Sequence, residues 1–514
     1  MLAKVKTLGL VGIQGFGLTV EVDLSNGLPK FDIVGLPDTA IKESKERVRS
    51  AIRNSGLKFP NGRTTVNLAP ADLKKEGPSY DLPIAVSLLV GQGLVETEEY
   101  KDYAFLGELS LDGSVHKING LMPLLITARS LGYQKIIIPS DNAFEASFID
   151  GITAYGISNL REVVGHFLLE EPVRIPEIVK QNFEEAKGDR TYPNDFCYVR
   201  GQVAAKRAME IAAAGGHNIM MIGPPGAGKT MLARCMPSIL PDLTFDESLE
   251  VTKIHSVAGV LDPRDGIIYE RPFRSPHHTT TNVTLTGGGN KSKPGEVSLA
   301  HSGVLFLDEL PEYKRQVIET LRQPLEDGVI TVARLNSTVE YPAEFMLITS
   351  MNPCPCGHFG SKVKECKCTY TQIRKYLDKL SGPLLDRIDL HIEVDAISYQ
   401  ELTDNGALEE SSASVRARVN KARSIQRNRY KNTKTKCNAK MTSPQVNRYC
   451  VLDDDCKELL SNAFTNLNLS ARAYNRILKV ARTIADLDNS ENIEVPHLAE
   501  AIGYRTLDKK YWEH

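Results

Sequence analysis

The sequence predicts an α/β protein built on a parallel sheet with crossover helices, and three observations predict it. The apolar run Ile219–Ile222 leads straight into Gly223-Pro-Pro-Gly-Ala-Gly-Lys-Thr230, which opens the helical stretch MLARCMPSIL. Across residues 194–395, helical stretches alternate with short apolar β-runs, the pattern of strands joined by crossover helices. Two of those runs end in polar groups: Val304–Leu307 in Asp308-Glu309, and Phe345–Met351 in Asn352.

The flanking regions read differently. A chain of 514 residues exceeds one hydrophobic core, so about three domains are expected. Residues 1–168 mix short strands with helices. VNLAPADLKKEGPSYDLPIAVSLLVGQGL reads as strand, Gly-containing loop and apolar helix, and KIIIPSDNA as a buried strand leaving into a turn. Residues 169–193 are charged, proline-interrupted and weakly periodic, which reads as a linker. Residues 194–395 form the core domain. After a loose loop over Asp404–Ser414, helical periodicity dominates 396–514, a helical C-terminal domain.

Composition excludes several classes. Hydrophobic residues are 41% and charged residues 25%, ordinary for a globular protein. The net charge of -2 leaves no global basic field, so any nucleic-acid contact must come from local patches. No apolar run reaches the roughly 18 residues a membrane span needs. The opening MLAKVKTLGLVGIQGFGLTVEV lacks the apolar block and cleavage site of a signal peptide, so a cytoplasmic protein is expected. Nine cysteines are an odd count for a disulfide framework.

The chemistry of Gly223–Thr230 is that of a phosphate-binding loop, G-x-x-x-x-G-K-[ST], between a strand and a helix. Gly223, Pro224, Pro225, Gly226, Ala227 and Gly228 form the loop around the phosphates, its non-proline residues turning their N–H groups inward because the glycines permit the turn. Lys229 supplies charge to the β and γ phosphates of ATP, and the Thr230 hydroxyl ligates magnesium. Asp308, at the end of a buried strand, is the second magnesium residue, acting through water. Glu309 is the expected general base for the attacking water.

Cys354-Pro-Cys356 and Cys366-Lys-Cys368 place four thiols in two close pairs. Soft sulfur in fours suits a tetrahedral structural zinc, with no open position for catalysis. Residues 352–370 are therefore an expected zinc-binding insert, with His358 a spare ligand. Thr286-Gly-Gly-Gly-Asn-Lys-Ser-Lys-Pro294 reads as a basic mobile loop, and Ile330–Val339 as a hairpin arm. Lys291, Lys293 and Arg334 are candidate contacts to DNA phosphates, with solvated loop charge as the alternative. Arg416–Lys440 holds ten Lys or Arg and no acid. It reads equally as a phosphate-binding stripe or as a helix facing neighbouring acids.

Taken together these residues resemble the AAA+ ATPases, and specifically the YifB/ComM group of their magnesium-chelatase-like branch. The resemblance covers nearly the whole chain. It is carried by GLPKFDIVGLPDTAIKESKERVRSAIRNSG, AAAGGHNIMMIGPPGAGKTMLA, MNPCPCG, SGPLLDRIDLHIEV and SARAYNRILKVARTIADL. It implies an AAA+ P-loop core with a helical lid, assembled as a homohexameric ring with ATP at subunit interfaces. It assigns Asn352 to orienting the water near the γ-phosphate. Arg387, in Leu385-Asp-Arg-Ile-Asp389, falls at the arginine finger of the related branches, the alternative being an ion pair with Asp386 or Asp389. Arg472 matches the sensor arginine of the lid, with Arg476 one turn later as a second choice. The resemblance places the 286–294 loop in the ring pore and implies a DNA helicase or branch-migration motor in recombination or natural transformation, acting on single-stranded or branched DNA. A magnesium-chelatase motor subunit and a protein-remodelling unfoldase are the alternatives. The latter would want an aromatic pore loop, which residues 287–297 do not offer.

The N-terminal domain resembles the Lon protease domain. Glu76-Gly-Pro-Ser-Tyr-Asp81 is similar to its nucleophile loop, with Ser79 at the serine position. Met122 stands where that family's catalytic lysine would be, and Lys117 is poorly placed to replace it. A serine without its base is an ordinary hydroxyl. The domain is therefore expected to be Lon-like in α+β fold and inactive as a peptidase.

Overall fold

The structure is a computed structural model. It describes residues 1–188, 192–262, 264–289, 292–333, 338–360, 364–396, 409–467 and 469–512. The chain divides into two compact units: Met1–Asp189 with Phe245–Tyr269, and Arg190–Thr244 with Glu270–His514.

The first unit is built on a seven-stranded mixed sheet in the order Lys30–Val34, Arg63–Ala69, Gln14–Ser25, Leu2–Val11, Tyr103–Phe105, Lys135–Pro139, Thr153–Ile157. Leu2–Val11 buries Ala3, Val5 and Leu8, and it pairs antiparallel with Gln14–Ser25 along its whole length. Helix Thr39–Asn54 starts at Asp38, whose carboxylate accepts from the Ile41 amide at 2.8 Å. Helix Asp81–Gly91 is buried on every side, as its mostly apolar sequence requires, with Ser87 satisfied by donating to the Ile84 carbonyl.

Two features depart from the sequence reading. The expected linker is largely exposed but is pinned to the first unit by two buried residues. Ile175 and Phe183 are buried in the unit's core, and Phe183–Lys187 is helical. The second departure is helix Phe245–Ala258, which lies within residues 194–395 yet is part of the first unit. Its Ser256 carbonyl accepts from the Gly120 amide at 3.0 Å, and its Ser256 hydroxyl donates to Glu145 at 2.6 Å. These partners lie more than 100 positions upstream, so no local pattern announces them.

The second unit carries a five-stranded sheet in the order Phe273–Arg274, Val304–Leu307, Met346–Met351, Ile219–Ile222, Leu390–Glu393, and every neighbouring pair is parallel. Its three middle strands are fully buried, which explains their continuous apolar sequences. The first strand in the chain lies between the last two, so the chain runs to the far edge and returns. The crevice beyond the carboxyl ends, where strand order reverses, is the place for a ligand in such sheets. After residue 409 the described chain is helical, with Ser412–Arg429 and Ala471–Leu487 the longest elements. Val415, Val419, Ile477 and Ala481 share one apolar core with Ile219 and Met221 of the sheet. Val329–Ala333 pairs with Thr338–Pro342 as the expected hairpin, and Gly287–Gly288 with Lys293–Pro294 as a second one.

Candidate active site

Three parallel strands deliver their polar ends to one point. The loop Gly223–Gly228 leaves Ile219–Ile222, and the helix Lys229–Ile239 follows it. Gly226 and Gly228 stand at φ +81° and +88°, backbone that only glycine adopts without strain. Lys229 is buried, and its ammonium donates to the Gly223 carbonyl at 2.7 Å, the Pro224 carbonyl at 2.9 Å and Asn352 Oδ1 at 3.2 Å. Burial draws this lysine down to about 8, against the pull of Asp308 and Glu309.

The Thr230 hydroxyl donates to Asp308 Oδ2 at 2.8 Å. Asp308 Oδ1 accepts from the Glu309 amide at 3.1 Å and from the Ser350 hydroxyl. A hydroxyl touching a carboxylate oxygen is a donor set that suits magnesium, which takes oxygen ligands and keeps several waters. Glu309 is exposed and holds φ +53°, an unusual conformation for a side chain larger than glycine. The turn lifts its carboxylate out of the sheet beside Asp308. Thus Lys229, Thr230, Asp308, Glu309 and Asn352 come together. Sequence reasoning missed Ser350, which fastens Asp308 from the neighbouring strand. Its place two residues before Asn352 is the only signal it carries.

The arginines lie elsewhere. Arg387 and Asp389 precede strand Leu390–Glu393, and Asn218 precedes Ile219–Ile222, so they mark the opposite end of the same parallel sheet. A strand of four residues sets these ends about 13 Å apart. Arg387 is buried and pairs with Glu326, not with Asp386 or Asp389. Arg472 is 64% exposed, with Asp386 3.7 Å away. Arg476 is committed to buried Asp389, which also takes the Asn218 amide at 3.1 Å and His217 at 3.4 Å. Burial pushes the Asp389 carboxyl up, but Arg476 and His217 outweigh it and hold the group far below the usual range. Arg387, Arg472 and Arg476 line one cavity of about 350 Å3.

The four cysteines converge. Sγ of Cys354 lies 3.4 Å from Cys356 and 3.7 Å from Cys366, and Cys356 lies 3.6 Å from Cys366. All four sulfurs, Cys368 included, fall within 4.8 Å of one another. Four thiolates at Zn–S of about 2.3 Å stand about 3.8 Å apart around a tetrahedron, so the set fits zinc. Amides of Lys367 and His358 donate to Cys356 and draw its thiol down to about 6. Residues 361–363 of the insert lie outside the described chain.

The basic elements divide. Lys293 is exposed in its hairpin, whereas Lys291 and Arg334 lie outside the described residues. Part of the stripe is spent inside the unit, while Lys421, Arg427, Lys431 and Lys434 are exposed. Arg418 pairs with Glu210 and Glu410, Arg429 with Asp486, and Arg416 and Arg423 donate to backbone carbonyls. In the first unit, Met122 is buried and its amide donates to buried Glu145 at 2.8 Å, while Lys117 is exposed. The place of a Lon-type base is thus filled by packed apolar side chain.

Comparison with known proteins agrees with this architecture. The family described as magnesium chelatase, subunit ChlI, matches residues 195–402. The descriptions subunit ChlI of Mg-chelatase and magnesium chelatase, subunit ChlI C-terminal, match 20–142 and 409–505. Competence protein ComM of Haemophilus influenzae is 44% identical over 508 residues, 98% of each chain. YifB of Escherichia coli is 42% identical over 512 residues, 99% of this chain and 98% of its own. Lon protease of Brevibacillus choshinensis is 28% identical over 179 residues, 32% of this chain and 23% of the protease. The N-terminal part is Lon-protease-like and the core is an AAA+ P-loop domain. No helix among the described residues is long and apolar enough to cross a membrane. The chain belongs to the YifB/ComM group of magnesium-chelatase-like AAA+ ATPases.

Proposed function

We propose that the chain is an ATP-driven motor that works as a homohexameric ring on DNA, as a helicase or branch-migration factor in recombination or natural transformation. The observation that carries the ring is the placement of Arg387 and Arg472 at the sheet end opposite the phosphate loop. Neither can reach this chain's own nucleotide there; exposed Arg472 serves the site of a neighbouring copy, and Arg387, held buried by Glu326 in this chain, serves it on leaving that pair. An arginine fork suits that task because it meets phosphate oxygens and never deprotonates.

The site residues take these roles. Backbone amides of the loop Gly223–Gly228 and the Lys229 ammonium hold the phosphates. Thr230 and Asp308 hold magnesium, which when bound neutralises phosphate charge. Glu309 accepts the proton of the attacking water, and Asn352 orients that water. Ser350 keeps the Asp308 carboxylate aimed at the loop. In the proposed division of labour, residues 1–168 are a Lon-like domain inactive as a peptidase, 194–395 the ATPase core and 396–514 the lid.

DNA as the moved polymer is supported by the near-full-length likeness to a competence protein and by the paired hairpins, one of which exposes Lys293. The family's chelatase description favours a second reading, a magnesium-chelatase motor subunit. ATP hydrolysis measured with DNA, and with protoporphyrin and magnesium, separates the two. Stimulation by DNA supports the first, and stimulation by the tetrapyrrole alone supports the second.

A further inference from the structure

The four-cysteine loop is not an isolated clip. It begins two residues after Asn352, which accepts from Lys229. Cys354 is fully buried at its root. The loop then turns at Gly357, whose amide donates to the Cys354 carbonyl at 2.9 Å, and leans on the phosphate loop itself. At Gly357, φ is +80° and a Cβ would stand 2.5 Å from Pro225 Cδ. On its other side, Phe359 meets the Tyr511 ring with centroids 6.3 Å apart. Tyr511 donates to Glu393 at 2.7 Å, and Lys510 pairs with the same carboxylate. Glu393 ends the strand next to Ile219–Ile222. The cysteine loop therefore lies between the phosphate loop and the helix Thr506–Tyr511.

We propose that zinc held by Cys354, Cys356, Cys366 and Cys368 sets a strut of the nucleotide site, fixing Asn352 from one side and Pro225 through Gly357 from the other. The cysteines are positioning residues here, since no sulfur needs to touch nucleotide. With zinc bound, the two arms of the loop are tied and Gly357 is pressed against Pro225. Without it, the segment from Asn352 to Cys368 loses its crosslink, and both contacts to the loop loosen together. A misplacement of about 1 Å at a site, caused by a change far from the chemistry, can cost about a hundredfold. The inference rests on the ATPase reading of the same site.

The test uses the full chain and three variants: Cys366→Ser with Cys368→Ser, Gly357→Ala, and Cys368→His. Zinc per chain, affinity for a fluorescent ATP analogue, and KM and kcat for ATP are measured for each, with far-UV circular dichroism to show folding. Wild type should carry about one zinc per chain. The double serine variant should fold, hold no zinc, and lose about tenfold or more in nucleotide affinity as the loosened contacts displace the site. Gly357→Ala should keep zinc and still weaken nucleotide binding, because the added methyl displaces Pro225. Cys368→His, which preserves a zinc ligand, should keep both zinc and affinity. A folded zinc-free variant with wild-type affinity, KM and kcat overturns the strut, as does wild type that carries no zinc yet hydrolyses ATP. Wild type that holds zinc but neither binds nor hydrolyses ATP overturns the underlying ATPase reading, and the strut with it.

Discussion

Arg472 and Arg476 sit one turn apart on the helix Ala471–Leu487, yet their partners give them different work. Arg476 neutralises Asp389, a carboxylate buried among His217 and the Asn218 amide. Removing it strands a buried charge, so Arg476→Ala should cost about 3–5 kcal/mol of stability, read as a fall in Tm. Arg472 is mostly exposed and only loosely paired. Arg472→Ala should leave Tm within a degree or so while ATP turnover in the assembled protein drops at least tenfold; unchanged turnover would remove it from the site. Lys229 makes a prediction about pH. Its ligand-free ammonium titrates near 8 because burial disfavours charge. Only the protonated form attracts phosphate, so ATP affinity should be level below about pH 8 and weaken by about tenfold per pH unit above it. Nucleotide titration from pH 7 to 9.5 checks this, and a flat profile would contradict it. The residues of the P-loop and of Asp308-Glu309 were legible because their chemistry is local: a strand end, a glycine turn, a fixed spacing. Ser350 and the Gly357–Pro225 contact were not, since only the register of parallel strands brings them in.

The elements show what periodicity conveys and what it leaves open. The buried strands Ile219–Ile222, Val304–Leu307 and Met346–Met351 announced themselves as apolar runs. The helix Phe245–Ala258 falls inside the alternation read over 194–395, and nothing local marks it as part of the first unit, because its anchor Glu145 is 111 positions away. Residues 169–188 looked like a linker because single buried residues such as Ile175 and Phe183 make no periodic pattern. The basic run 416–440 was ambiguous for a related reason: its acidic partners Glu210 and Asp486 come from other helices. The hairpin and the stripe should therefore behave differently toward DNA. Lys293→Ala should weaken binding similarly across sequences and reduce the salt slope by about one. Arg429→Ala should lower Tm through loss of its Asp486 pair and leave the salt slope unchanged. Fluorescence titration of labelled single strands at several salt concentrations reads both, and the reverse pattern would return the stripe to the DNA path.

At the scale of the whole molecule, the proposed ring makes the assembly the working unit, because the phosphate loop and the arginines lie at opposite ends of the sheet. A Glu309→Gln chain lacks the base but keeps its arginines, and an Arg387→Ala chain has the reverse defect. Mixed together, they should regain hydrolysis at interfaces that pair an intact Glu309 with an intact Arg387. Inert mixtures would place the finger in its own chain. The central claim, that ATP turnover drives work on DNA, is tested most directly by hydrolysis with single-stranded, forked and four-way-junction DNA, with Glu309→Gln as control. General-base catalysis contributes about 10²–10⁴-fold, so the control should lose at least a hundredfold. The account predicts strong stimulation by DNA that the control abolishes, with a preference for forks or junctions. Hydrolysis that is indifferent to every DNA would contradict it.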